Sequence, residues 1–157
     1  MSDGATQEVE AGAKSGRPGH MPWVTPYLIV RDVPAAMDFY EAAFGFRKRF
    51  ANPGPDGVVS HGDVAWQGGA VMMGREGAYG GTTRAPATSG VESPVSLYVY
   101  CDDVDALHER ARAAGATIKH APMDAFYGDR ICGIVDPDGH SWCFATHREE
   151  TDHFPPA

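Results

Sequence analysis

Two stretches decide the fold of this chain: Pro26-Tyr27-Leu28-Ile29-Val30-Arg31-Asp32-Val33-Pro34-Ala35-Ala36 and Val95-Ser96-Leu97-Tyr98-Val99-Tyr100-Cys101-Asp102-Asp103-Val104-Asp105-Ala106. Each opens as a β-branched and aromatic run and then switches to Asp-Val followed by helix-compatible residues. Asp32-Val33 matches Asp103-Val104 at an offset of 71, and Gly45 matches Gly115 at an offset of 70. A strand, a capped helix and a glycine stop thus recur in one order, which marks an internal duplication.

The helices follow from their ends and faces. An aspartate before the first turn accepts from a backbone N–H that has no helical partner, and Pro34 sits where a missing N–H costs nothing. Glycine at position 45 or 115 allows the left-handed conformation that ends a helix. Ala36, Phe39, Tyr40, Ala43 and Phe44 share one face of the first helix. Val104, Leu107, Ala111 and Ala114 form the stripe of the second. Each amphipathic helix needs a sheet to cover.

Further strand signals follow each helix: Arg47–Ala51, Val58–Trp66 and Ala70–Gly74 in the first half, then Thr117–His120, Arg130–Val135 and Ser141–Thr146 in the second. Gln67-Gly68-Gly69 reads as a hairpin connection. In Asp136-Pro137-Asp138-Gly139, proline cannot take the positive φ of a type I′ turn, so a type I turn with Gly139 left-handed is expected. That loop sets Ile134 opposite Trp142 and Cys132 opposite Phe144, and it turns Cys143 to the face away from Cys132. The fold class is therefore α+β: two βαβββ modules, about residues 23–76 and 92–147, joined by a linker over 77–91. Residues 1–20 and 148–157 are expected to be flexible tails flanking a domain over 21–147.

Composition narrows the function. The net charge is −8, from 13 Lys and Arg against 21 Asp and Glu, which offers no phosphate-neutralising surface and argues against nucleic acid. No apolar run has membrane-spanning length. Three cysteines without a CxxC pair argue against a disulfide framework, and with no evident secretory signal the expected location is cytoplasmic.

The early Val30-Arg31-Asp32-Val33-Pro34-Ala35-Ala36-Met37-Asp38-Phe39-Tyr40 and the late Asp136-Pro137-Asp138-Gly139-His140 together resemble the vicinal-oxygen-chelate (glyoxalase/bleomycin-resistance/dioxygenase) superfamily, from about Trp23 to His147. Tyr127-Gly128-Asp129-Arg130 and Ser141-Trp142 are similar to its glyoxalase-like branch of uncertain function. The resemblance implies a mixed, curved sheet shaped as a cup, helices on the outside, and a homodimer. It also implies metal ligands at positions that here hold Thr25, Met73 (Met72 if the register slips by one), Ser96 and Cys143. Such a set is poor for a divalent cation, which prefers imidazoles and carboxylates. His61 and Asp63, on one strand face, are the remaining metal-capable pair.

Strand alternation places Thr25 and Tyr27 opposite Leu28, and Ser96, Tyr98 and Tyr100 opposite Leu97 and Val99. If leucine and valine face the helices, the tyrosines face the cup. The expected ligand-binding residues are Tyr27, His61, Trp66, Met73, Ser96, Tyr98, Tyr127, Arg130 and Cys143. Arg130 offers a guanidinium to an anionic ligand, with a local ion pair as its plainer use. His140 reads as structural and His108 as solvated, while His20, His120, His147 and His153 have no neighbours that suggest a site. The expected activity is metal-free capture of an aromatic or amphipathic small molecule without a cofactor. The alternative is a metal-dependent lyase, isomerase or dioxygenase with an atypical site. A third possibility is a partner module whose cup is filled by side chains.

Overall fold

The computed structural model describes residues 16–149; the expected tails fall largely outside that range. Strand β1 (Tyr27–Val30) leads into helix α1 (Val33–Phe44), followed by β2 (Arg47–Pro53), β3 (Val59–Trp66) and β4 (Gly69–Arg75). After the one-turn helix α2 (Pro86–Ser89), the pattern repeats as β5 (Ser96–Tyr100), α3 (Val104–Ala113), β6 (Thr117–Asp124), β7 (Asp129–Val135) and β8 (Ser141–His147). Two mixed four-stranded sheets result, ordered β1-β4-β3-β2 and β5-β8-β7-β6. In each, the strand before the helix runs parallel to the last strand of its module. The repeat read from the sequence is a repeat of structure.

The caps are those the sequence specified. Asp32 accepts from the Ala35 N–H at 2.8 Å and Asp103 from the Ala106 N–H at 2.9 Å. Gly45 and Gly115 stand at φ of 75° and 88°. Gln67 and Gly68 both take positive φ, and Trp66 pairs directly with Gly69, so this hairpin has a two-residue turn.

The helix-facing sides of both sheets close over one shared core. Phe44 at the end of α1 lies 4.6 Å from Phe144 of β8, centroid to centroid, and Trp142 of β8 lies 5.3 Å from Tyr40. Leu28, Val30, Val64, Met73, Cys132 and Ile134 join the same cluster. Large aromatic side chains from both modules therefore bury their surface together.

The Asp136–Gly139 turn fastens the modules. Gly139 has φ 87° and donates back to the Asp136 carbonyl; Ile134 pairs with Trp142 and Cys132 with Phe144. Asp136, almost fully buried, receives four hydrogen bonds. The backbone N–H groups of Asp138 and His140 donate to Oδ1, and Tyr40 Oη and Trp142 Nε1 donate to Oδ2. Asp138 reaches into the other module, accepting from the backbone N–H and the Nε of Arg31 at 3.0 and 2.8 Å. His140 Nε2 lies 2.8 Å from the Ile29 carbonyl and donates to it. The two motifs that carried the family resemblance thus touch one another.

Several expectations change. The linker segment carries a 3-10 turn at Ala78–Gly80 as well as α2, and Ala87 donates its N–H to the Asp138 carbonyl. Met73 pairs opposite Leu28 and is fully buried against the helices, so the register gives the open face to Met72, which pairs with Tyr27 and Asp63. His108 is buried beside the α3 stripe rather than solvated, 3.1 Å from Glu109 Oε1. His20, within the expected N-terminal tail, is tied to β2 by Arg49 Nη1, which donates to its carbonyl. Among the described residues no helix is long and apolar enough to cross a membrane.

Candidate functional site

β1 and β5 each have one strand neighbour, so each leaves one edge open. In a parallel ladder alternate residues bond to the same neighbour. The Pro26 carbonyl accepts from Met72 of β4, the Val30 carbonyl from Glu76 just beyond that strand, and Cys101 donates to Ala145 of β8. The N–H and C=O groups of Tyr27, Ile29, Ser96, Tyr98 and Tyr100 consequently point to the free edges. Two side chains tie these edges down: Trp66 Nε1 donates to the Tyr100 carbonyl at 2.9 Å, and His140 holds the Ile29 carbonyl.

Between the edges lies a cavity of about 790 Å³. Consecutive residues of both edge strands line it, together with Phe46, Val64, Trp66 and Val71. Its walls are largely aromatic and aliphatic, with the backbone of the strand edges and the side chains of Gln67, Ser93, Ser96 and His140 among its polar groups. This volume falls in the range that accepts a drug-sized molecule. Of the expected site residues, Tyr27, Trp66, Ser96 and Tyr98 line it.

The faces of the two sheets turned away from the core carry polar clusters. On the first, Tyr27 stacks on His61 at 5.6 Å and its hydroxyl lies 3.1 Å from Nδ1. Burial raises the pKa of this phenol, with Tyr79 adding to the effect. Asp63 on the same face is bound by Arg49 Nε at 2.6 Å. Gly74 lies under the Tyr27 ring, where a Cβ would stand 2.6 Å from the hydroxyl.

On the second sheet the centre is Asp129, 3% exposed. Its Oδ2 accepts from Tyr98 Oη at 2.7 Å and Tyr100 Oη at 2.9 Å; its Oδ1 lies 2.8 Å from His147 Nδ1. Tyr127 Oη is 3.3 Å from Tyr98 Oη. Burial works against ionisation of Asp129, but bonds from His147, Tyr98 and Tyr100 prevail and hold its pKa below the usual carboxylate range. Burial, reinforced by these bonds, raises both tyrosines. Cys143 pairs opposite Tyr98, and burial followed by the nearby Asp129 charge raises its thiol.

Arg130 lies elsewhere. It is on the helix-facing side, with Nε and Nη2 each 2.8 Å from an Asp105 oxygen of α3 and Nη1 3.1 Å from Asp124. Asp129 and His147 take its place as the paired titratable groups of the outward face of the second sheet. Alternation contained the signal: with Cys132 and Ile134 in the core, Arg130 must share their side and Asp129 the other. The pairing with His147 crosses strands and was not readable locally.

The expected metal positions do not fit a divalent cation. They offer two hydroxyls, a thioether and a thiol whose deprotonation is disfavoured. His61 and Asp63 are engaged by Tyr27 and Arg49. Among the described residues no group of three or more His, Cys, Asp or Glu side chains is assembled.

A sequence profile of the Glyoxalase/Bleomycin resistance protein/Dioxygenase superfamily matches residues 20–144. The chain is 37% identical over 123 residues to an uncharacterized protein of Mycobacterium tuberculosis, covering 77% of this chain and 72% of that protein. It is 28% identical over 141 residues to the anthracycline biosynthesis protein DnrV of Streptomyces peucetius, which spans 90% of this chain but only 46% of DnrV. Among solved structures, TioX from Micromonospora sp. ML1 superposes with a TM-score of 0.64 at 31% identity, over 83% of this chain and 99% of TioX. A glyoxalase-related enzyme from Fulvimarina pelagi shares the fold at 22% identity and a TM-score of 0.60, over 78% of this chain and 86% of that one.

Proposed function

Because the chain belongs to the glyoxalase/bleomycin resistance protein/dioxygenase superfamily, we propose that it is a metal-free member that captures an aromatic or amphipathic small molecule. The observation that carries this reading is the cavity of about 790 Å³ between the open edges of β1 and β5, walled by Tyr27, Trp66, Tyr98 and Tyr100. Flat rings on two sides suit a planar guest. They supply apolar contact over large areas with little loss of side-chain freedom, while their hydroxyls are satisfied on the outward sheet faces by His61 and Asp129. Capture is stoichiometric and breaks no bond. The relationship to a protein named for anthracycline biosynthesis supports fused-ring compounds as the first ligands to try.

The reading includes a homodimer. Tyr27, Tyr98 and Tyr100 are 50%, 45% and 56% exposed on the outward sheet faces. A second copy covering those faces would convert an aromatic surface into an enclosed one.

A thermal-shift and calorimetric screen of uncharged and charged polycyclic aromatics tests the capture reading. Binding of at least one class with one-to-one stoichiometry, and a melting temperature that rises with ligand concentration, is the expected result. No response across the whole panel overturns it.

A further inference from the structure

His140 lines the cavity, is only 7% exposed, and is held by both its backbone and its ring. Its N–H donates to Asp136 Oδ1 at 2.9 Å, and its carbonyl accepts from the Asp136 N–H. Across the modules, ring Nε2 meets the Ile29 carbonyl at 2.8 Å. A carbonyl oxygen only accepts, so Nε2 carries the proton. In the neutral ring the lone pair then sits on Nδ1. The contact that ties β1 to the turn therefore also fixes the tautomer.

Nδ1 makes no hydrogen bond among the described residues, yet it is not sealed inside the protein. Because the residue lines the cavity, this nitrogen opens on that space. Other polar side chains there are less particular. The Ser96 hydroxyl and the Gln67 amide can each donate or accept, and so adapt to a guest. His140 offers an acceptor alone, and its ring cannot flip without giving up Ile29.

We propose that Nδ1 of His140 is a fixed hydrogen-bond acceptor in the cavity wall, and that the captured ring system carries a hydroxyl that donates to it. The proposal rests on the capture reading and narrows it to phenol-like guests. Solvent can serve such an acceptor before a guest enters. A wholly apolar guest would displace that solvent and leave the nitrogen bare, at the cost of its lost hydration. A guest with a hydroxyl at the same place restores the bond. Sites built around a hydroxyl reject the analogue lacking it more strongly than apolar pockets reject a change of size. His140 thus selects by chemistry, where the walls select by shape.

The test has two arms on the full-length protein. In the first, hydroxypyrene and its methyl ether are titrated by fluorescence. The two share one ring system, and the ether keeps the oxygen while losing the donor. The phenol should bind tighter by roughly tenfold, the scale of one unmatched neutral acceptor, although the ether is the more apolar compound. In His140→Gln the amide can still donate to the Ile29 carbonyl but leaves no acceptor at the Nδ1 position, so the preference should fall towards one. The second arm needs no variant. Heteronuclear NMR of the imidazole nitrogens should show His140 Nδ1 unprotonated and Nε2 protonated. Hydroxypyrene should move the Nδ1 signal in the sense of an accepted hydrogen bond, and the ether should not. A proton on Nδ1, equal affinities for phenol and ether, or a preference that survives in His140→Gln overturns the assignment and leaves capture standing. Binding of neither compound overturns the capture reading, and this proposal with it.

Discussion

The hydroxyl of Tyr40 donates to Oδ2 of Asp136 at 2.7 Å, joining the helix of one module to the hairpin turn of the other. Asp136 also organises its own turn and receives Trp142 Nε1. Tyr40→Phe should cost about 1.5–3 kcal/mol, the range for a bond to a charged acceptor. Asp136→Ala should cost more, about 3–5 kcal/mol, because it strands two side-chain donors and two backbone N–H groups inside the protein. Urea denaturation measures both. A value for Asp136→Ala no larger than that for Tyr40→Phe would show that the clasp holds no network.

Two left-handed glycines separate conformational strain from crowding. Gly115 has φ 88° and open space where a Cβ would be, whereas a Cβ on Gly139, at φ 87°, would stand 2.8 Å from the Ala87 nitrogen and 2.9 Å from Pro86 Cβ. Gly115→Ala should cost about 1–2 kcal/mol from backbone conformation alone. Gly139→Ala should cost that amount plus the displacement of α2, roughly another 1–3 kcal/mol. Equal losses by chemical denaturation would mean that α2 moves aside freely.

Asp129 predicts a particular acid response. Its folded-state pKa is lowered by His147, Tyr98 and Tyr100 acting against burial, so the native state binds this proton less readily than the unfolded chain does. The stabilisation is fully present above the unfolded value of about 3.9. It is lost as pH falls through the lower folded value. Asp129→Asn should therefore flatten the pH dependence of stability below about pH 4. An unchanged slope in paired denaturation series from pH 2 to 6 would remove Asp129 from the acid response.

Metal removal should leave capture intact. Protein purified without added metal should carry far less than one equivalent of zinc, iron, nickel or manganese, and chelator should not alter ligand affinity. Stoichiometric metal lost on His61→Ala would replace capture with metal chemistry as the starting point.

Most of the architecture was legible because its determinants are local. Asp32 and Asp103 announce helix starts, Gly45 and Gly115 their ends, and the DPDG turn fixes which β7 and β8 residues face each other. Register between strands distant in sequence was less accessible. Met73 and Met72 are adjacent, and only the pairing of β4 with β1 says which faces the core. The site was partly readable for the same reason. Alternation along one strand placed Tyr27, Ser96 and Tyr98, but the meeting of Asp129 with His147 depends on a β7–β8 pairing that extends past the residues expected. His108 looks solvated by its charged neighbours, whereas helical spacing from Val104 and Ala111 sets it on the buried side of α3.

The open edges of β1 and β5 also bear on solubility. A strand rim with unspent amide groups is a template on which a foreign chain can zip, and short length is one of the few defences such a rim has. These strands are four and five residues long, and Trp66 and His140 each take up a carbonyl along them. A flat guest wedged in the gap would screen the remainder, so binding its cargo would protect the carrier from aggregation.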